Sequence, residues 1–443
     1  MSHDRITQVR ISGLRAIDEL TLDLHGLTVL IGDNGTGKSS ILEAFEILHQ
    51  VAKPIAHVSD IIVKGHGGLD SLLRRGSDEL RLGVTIEGDG PQIVYDLSMG
   101  HIGVSPAVLR EQLDVYADPE ALEPLRVLKR KHASLTLFDA RTAKLRRVNL
   151  DERFDDEEST GVDELRLALP WLRAKTQPAL QRVVKALDQI DVHVPFEARP
   201  IWQQRALDIR QGPRWPSVVE KTDRLTRHGV NLPNAFQQLR NLGNETWSRV
   251  LERAQLGLGA DLRDFRLSPS GRGNIELELV FGTFPDAPLP AEVLSEGQLS
   301  YLAFIALCGL HGSRSLLAFD DPEIHLHPGL LVRVLWMLEE VSASAPVIVA
   351  THSDSLLDAL EDPARSVVLC ELDEKRRTRL RRPDAARLAE WTEDDKGLGS
   401  LRADGYAAHV FGDVDAEGKG TARGSSPSCG KISAERSKGV RPS

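Results

Sequence analysis

Apolar and polar positions change rhythm several times along the chain, and each change marks a predicted element. ITQVRIS and ELTLDL alternate, and LTVLI is continuously apolar; Gly13 and Gly26 separate these runs, which predicts three short strands. Ile41, Leu42, Phe45 and Leu48 then recur at helical intervals, predicting a helix from about Lys38 to Val51. LRLGVTIE and QIVYDLSM predict two further strands around the turn Gly88-Asp89-Gly90. Residues 105–250 mix helical segments with a predicted hairpin, LTLFDARTAKLRRVNL, and are interrupted at Pro170, Pro178, Pro195, Pro200, Pro213, Pro216 and Pro233. No heptad pattern survives these prolines, which excludes a long coiled-coil arm. IELELVF returns to strand pattern, and from 294 to 370 the order is helix, strand, helix, strand, helix, strand, as an α/β sheet requires. After Gly412 almost nothing apolar remains, which predicts a disordered tail.

Composition narrows the class. With 41% apolar and 27% charged residues, the 443-residue chain has the balance of a soluble globular protein. Its formal charge of −10 argues against a general nucleic-acid coat and leaves room only for a local basic patch. Six Lys and Arg against one Glu from Lys419 onward make the preceding body more acidic still. No run approaches a membrane span. MSHDRITQVRISG has no apolar core of a secretory signal, so a cytoplasmic protein is expected. Cys308, Cys370 and Cys429 have no paired spacing, which disfavours a disulfide scaffold or a cysteine zinc site.

The candidate chemistry begins at Gly32-Asp33-Asn34-Gly35-Thr36-Gly37-Lys38-Ser39, which fits G-x-x-x-x-G-K-[ST] and stands between a predicted strand and a predicted helix. Glycines let the backbone curl so that amides point at phosphate oxygens, and the helix N-terminus adds partial positive charge. The binding set is Gly32, Asp33, Asn34, Gly35, Thr36, Gly37, Lys38, Ser39 and Ser40. Lys38 is expected to neutralise the β- and γ-phosphates, and Ser39 to hold Mg²⁺.

Leu294-Ser295-Glu296-Gly297-Gln298 precedes an apolar helix. Ser295 and Gln298 form a predicted capping box, and Gly297 leaves room for a phosphate near the first-turn amides. SLLAFDDPE is an apolar strand ending in acids, which puts carboxylates at the ligand-binding edge of an α/β sheet. Asp320 is the expected Mg²⁺ ligand, and Asp321 the residue that orients or deprotonates the attacking water. PVIVATHS delivers His352 from another buried strand as a reporter of the γ-phosphate. The catalytic set is therefore Lys38, Asp321 and His352, with Ser39 and Asp320 on the metal.

LSEGQ between a P-loop and a strand-borne acid pair resembles the ATP-binding-cassette superfamily. DDPEIHLHPGLL is similar to the D-E-P-E-x-x-L-H-P of its RecF/SMC and overcoming-lysogenization-defect-like ATPases, not to the S-A-L-D of transporter subunits. ISGLRAIDELTLDL, GGLDSLLRRG and GVNLPNAFQQLR agree with that group. The resemblance implies an α/β P-loop NTPase, an ABC-ATPase-like head with a mixed sheet core and an inserted, mainly helical subdomain. The expected domains are 1–104 and 251–412 for the two parts of the head, 105–250 for the insertion, and 413–443 for a basic tail. It also implies a homodimer with two ATP molecules sandwiched between P-loops and the Ser295, Gly297 and Gln298 of the opposite copy. ATP rather than GTP is expected on resemblance, since no N-K-x-D motif occurs.

Arg15 matches a family arginine near the phosphates. Asp321 stands where the family usually has Glu, so slow hydrolysis, or help from Glu323, is expected. The implied role is a switch in DNA maintenance, repair or antiviral defence, with a nuclease or other effector as a separate partner protein. The alternatives are a hydrolysis-poor regulatory scaffold and, against the missing S-A-L-D text, a transporter-coupled ATPase. Lys129-Arg130-Lys131, Lys144, Arg146 and Arg147 stand near the acids at 151–158, and Lys375 to Arg382 beside Glu371, Asp373 and Glu374. Both basic groups are expected to be solvated hairpin flanks rather than nucleic-acid sites. His327 is expected to be structural.

Overall fold

The protein is described here from a computed structural model covering residues 4–54, 57–118, 123–139, 141–148, 163–172, 177–200, 203, 212–310, 312–392, 397–403 and 410–413. The acidic block at 151–158 and nearly all of the basic tail lie outside the described residues.

A seven-stranded sheet carries the predicted motifs. Its order is β10 (Ile190–His193), β15 (Leu316–Asp320), β16 (Val347–Thr351), β3 (Leu27–Gly32), β17 (Val367–Leu372), β18 (Thr378–Pro383) and β19 (Phe411–Asp413). The first five strands are parallel, and β18 and β19 add antiparallel. Continuous apolar runs suit strands covered on both faces. Successive residues duly divide between two cores. Leu30, Ala318, Ile348 and Ala350 join the cluster containing α1 (Lys38–Val51) and α5 (Pro178–Asp188). Val29, Ile31, Leu317, Phe319, Val347 and Val349 join the cluster containing α8 (Glu296–Gly309) and α9 (Pro328–Ser342).

An eight-stranded antiparallel sheet lies over the α1 side. Its order is β2 (Ile17–Asp23), β1 (Arg5–Leu14), β4 (Glu79–Glu87), β5 (Gln92–Ile102), β6 (Ser105–Tyr116), β7 (Leu125–Lys131), β8 (Ser134–Asp139) and β9 (Lys144–Arg147). Val9, Leu82, Val84, Tyr95 and Leu97 turn into the α1 core with α2 (Val58–His66), α3 (Leu69–Leu72) and α4 (Ala168–Leu172), while Arg10 and Arg81 alternate outward. A third sheet, β11 (Ser217–Val218), β13 (Asn274–Phe281), β12 (Leu262–Pro269) and β14 (Phe284–Pro290), packs with α6 (Leu232–Asn241) and α7 (Asn244–Leu258) beside α8. Short helices α10 (Asp354–Leu357), α11 (Pro363–Ser366), α12 (Ala385–Thr392) and α13 (Leu398–Ala403) complete the C-terminal side. No helix among the described residues is long and apolar enough to cross a membrane.

The middle segment corrects the sequence reading. The described residues of 105–250 do not form a mainly helical insertion: β6 to β9 extend the eight-stranded sheet, α5 and β10 enter the core layers, and α6 begins the third layer. The expected hairpin forms as β8 and β9, but the alternation before it, with Leu113 and Leu128 buried, reads as helical or loop text because the outer face is polar. Arg130 is a second correction. Flanked by exposed Lys129 and Lys131, it faces inward by the two-residue strand period, with a side chain fully buried against Glu111 at 3.7 Å. Its guanidinium donates to the carbonyls of His132, Asp163 and Arg166, and Glu111 accepts from the Tyr95 hydroxyl and the amides of Ala168 and Leu169. The run ending at Arg382 behaves as expected: Arg377 pairs with Asp373 at 2.7 Å and Arg381 with Glu371 at 3.3 Å.

Candidate functional site

The P-loop leaves β3 where the backbone is closely packed. A Cβ on Gly32 would lie 2.1 Å from the carbonyl oxygen of Cys370 on the neighbouring strand. Gly37 has φ +102°, and a Cβ there would lie 2.6 Å from Thr378 Oγ1. Only glycine takes that conformation without strain. Thr378 also donates to the Thr36 carbonyl at 2.9 Å, and the Thr36 hydroxyl closes on the Asp33 carbonyl at 2.8 Å. The loop is thus braced from β18 before any ligand binds. Lys38 donates to the carbonyls of Gly32 at 2.7 Å and Asp33 at 3.1 Å. Burial pulls its pKa below the ordinary lysine value, against the raising influence of Asp321 and Asp320. The Cys370 thiol beside it is pushed up to about 12 by burial and stays neutral.

α1 and β15 bring the two expected metal ligands together. Ser39 Oγ donates to Asp320 Oδ1 at 3.2 Å, although 281 positions separate them. Two hard oxygen donors at the carboxyl edge of a parallel sheet fit Mg²⁺, which usually takes one or two protein oxygens and completes its shell with phosphate and water. No group of three or more His, Cys, Asp or Glu among the described residues is arranged to hold a metal, in keeping with so small a ligand set. Asp320 is held above the usual carboxylate range by burial and then by the charge of Asp321. Asp321 is raised by burial and then by Glu323. Asp321 is also a non-glycine residue at φ +46°, pinned there by its amide, which donates to the Ala350 carbonyl at 2.8 Å.

Glu323 takes a place the sequence did not suggest. Its Oε1 accepts from the Thr351 hydroxyl at 2.8 Å and from the His352 amide at 2.7 Å. It therefore ties the loop after β15 to the loop after β16, and that oxygen is not free to activate water. The imidazole of exposed His352 stands beyond this tie. Arg15, at φ +47°, pairs with Glu43 at 2.8 Å and lines, with Ser39, Asp320, His66, His193 and Arg227, a cavity of about 250 Å³.

The capping box forms as read: Gln298 accepts from the Ser295 amide at 3.0 Å, and Ser295 Oγ accepts from the Gln298 amide at 3.3 Å. Gly297 faces the His325 carbonyl, where a Cβ would come within 2.7 Å, and Glu296 pairs with His325 at 2.8 Å. Ser295 is exposed, and within this single chain the contacts described for residues 295, 297 and 298 do not reach residues 32–40. His327 caps α9 by accepting from the Gly329 amide at 3.2 Å, the structural role expected of it.

Comparison with known proteins follows this geometry. A family model described as an AAA ATPase domain matches residues 5–95, which hold the P-loop. A second, described as AAA domain, putative AbiEii toxin, Type IV TA system, matches residues 243–358, which hold Ser295, the two aspartates and His352. An uncharacterized protein of Methanocaldococcus jannaschii is 32% identical over 83 residues, 19% of this chain and 19% of that protein. The match thus spans about a fifth of that curated relative. The Smc head domain of Pyrococcus furiosus, with an extended coiled coil and bound to the C-terminal domain of ScpA, has TM-score 0.50 and 11% identity over 88% of this chain and 99% of that one. An SmcHead bound to the C-winged helix domain of ScpA has TM-score 0.49 and 13% identity over 85% and 97% of the two chains. The fold is that of a P-loop NTPase head of ABC-like build, and the motifs lie in the two segments that the AAA-type domain models match.

Proposed function

We propose that this protein binds ATP with Mg²⁺ and hydrolyses it as a RecF/OLD-like head that pairs with a second copy around two nucleotides. The observation that carries the reading is the 3.2 Å approach of Ser39 to Asp320, which joins a P-loop to a strand-borne carboxylate. Lys38 and the loop amides hold the β- and γ-phosphates; Ser39 and Asp320 hold the metal. Bound Mg²⁺ supplies charge neutralisation on the phosphates. Asp321 accepts the proton of the attacking water, and His352 contacts the γ-phosphate. Arg15 reaches the phosphates on leaving Glu43. The exposed Ser295, with Gly297 and Gln298 in the first turn of α8, supports a site completed by the opposite copy. The ScpA-bound Smc heads support an output through a protein partner.

A second reading, ATP binding with little turnover, is favoured by the shorter reach of Asp321, a methylene less than Glu, beside a Glu323 whose Oε1 is held by Thr351 and His352. Single-turnover hydrolysis separates the two. The expected outcome is measurable turnover that Lys38→Ala abolishes and Asp321→Asn lowers by about a hundredfold or more. A rate untouched by Asp321→Asn removes that residue as the base; no turnover by the unaltered protein leaves the binding switch.

A further inference from the structure

Arg402 lies outside every motif and touches two of them. It sits on α13, whose Leu398 and Leu401 are buried in the same core as Leu356 and Leu357 of α10. Asp358 accepts from the Gly399 amide at 2.7 Å and the Ser400 hydroxyl at 3.2 Å, fixing α13 at its first turn. Gly399 approaches so closely that a Cβ would lie 1.9 Å from the Asp354 carbonyl oxygen. From this seat the guanidinium reaches in two directions. Nη1 donates to Asp354 Oδ1 at 2.5 Å, and Nη2 faces Asp33 Oδ1 at 3.5 Å. Asp354 follows His352 by two residues, and the Asp33 carbonyl holds Lys38.

The two arms differ. The Asp354 contact is short and the side chain of Arg402 is only 18% exposed, whereas the Asp33 carboxylate is 93% exposed and its contact is long. Solvent screens the second arm far more than the first. The guanidinium is therefore anchored on the His352 side and adjustable on the P-loop side. A planar fork suits this bridging better than a lysine point charge.

We propose that Arg402 is a positioning residue that fixes the His352 loop against the P-loop, so that the imidazole meets the γ-phosphate. The proposal rests on the ATPase reading given above. Because both arms end on carboxylates, loss of Arg402 affects turnover through His352 rather than nucleotide affinity.

The test measures steady-state hydrolysis and mant-ATP and mant-ADP affinity for the full chain carrying Arg402→Met, Arg402→Lys, Asp354→Asn, His352→Ala, and Arg402→Met with His352→Ala. Arg402→Met and Asp354→Asn are expected to lower kcat about tenfold with KM changed less than about twofold. Arg402→Lys is expected to recover part of the loss, and adding Arg402→Met to His352→Ala to cost nothing more. A raised KM with unchanged kcat, or losses that multiply in the double variant, overturns the proposal. Should Arg402→Met fail to fold, judged by melting, Asp354→Asn carries the same test from the other end of the contact. If the unaltered protein binds mant-ATP without turnover, the hydrolysis reading fails separately and the tie is read in binding. The unaltered protein should then prefer ATP to ADP, and the Arg402 variants should lose that preference; equal discrimination in all of them overturns the tie.

Discussion

Asp320 and Asp321 are costly residues for the fold. Both carboxyls are raised by burial, and each has another carboxylate as its second unfavourable influence. A carboxyl whose folded pKa is raised binds its proton more tightly when native than when unfolded. Its cost is absent below the unfolded value, roughly 4, and fully present above the folded one. Without nucleotide or Mg²⁺, Asp321→Asn should therefore raise Tm at neutral pH, by an amount kept small by the group's partial exposure to solvent. The gap should close as pH falls through the raised pKa. An unchanged or lower Tm at neutral pH would contradict an uncompensated charge. The same residue that destabilises the empty site is the one on which turnover depends.

Elements show why some of this was legible in the sequence. The strand–loop–helix at 27–51 and the alternating order from 294 to 372 were readable because buried parallel strands are continuously apolar and their helices are strongly patterned. The capping box at Ser295 was readable because it is local. Pairings across the sheet were not: Thr378 against the P-loop, Glu323 against His352 and Arg402 against Asp354 join distant residues of ordinary type. Nor were β6 and β7, whose outer face is polar, although the β8–β9 hairpin was.

Two element-level predictions follow from such pairings. Gly37→Ala should weaken mant-ATP binding by about tenfold or more, since left-handed backbone costs roughly 1–2 kcal/mol and the new methyl meets Thr378. Near-normal affinity would show that the loop relaxes freely. Arg130→Met should destabilise the eight-stranded sheet by about 3–5 kcal/mol in urea unfolding, because Glu111 is left buried and unpaired. Adding Glu111→Gln should recover part of the loss; no recovery would mean that packing, not charge, sets the cost.

At the scale of the whole molecule, the motifs come from several elements of one chain. The P-loop, Asp320 and His352 converge at the edge of the seven-stranded sheet. Exposed Ser295 and half-buried Gly297 and Gln298 open α8, and Glu296 ties that turn to His325. On the proposed reading, each copy supplies half of a composite site, and a two-fold pairing would bring both halves together. The whole chain, at −10, gives no broad attraction for nucleic acid, so on the proposed reading specificity would come from the paired state and its partner.

Mixing two disabled proteins tests this most directly. Lys38→Ala lacks a working P-loop and Ser295→Arg lacks a working α8 surface, so each alone should be inactive. An equal mixture forms some mixed pairs, each with one intact composite site contributed by both chains. ATPase activity should return on mixing, to about a quarter of that of the unaltered protein if pairing is random and sites act independently. Full activity of Ser295→Arg by itself, or no recovery on mixing, would contradict the shared site.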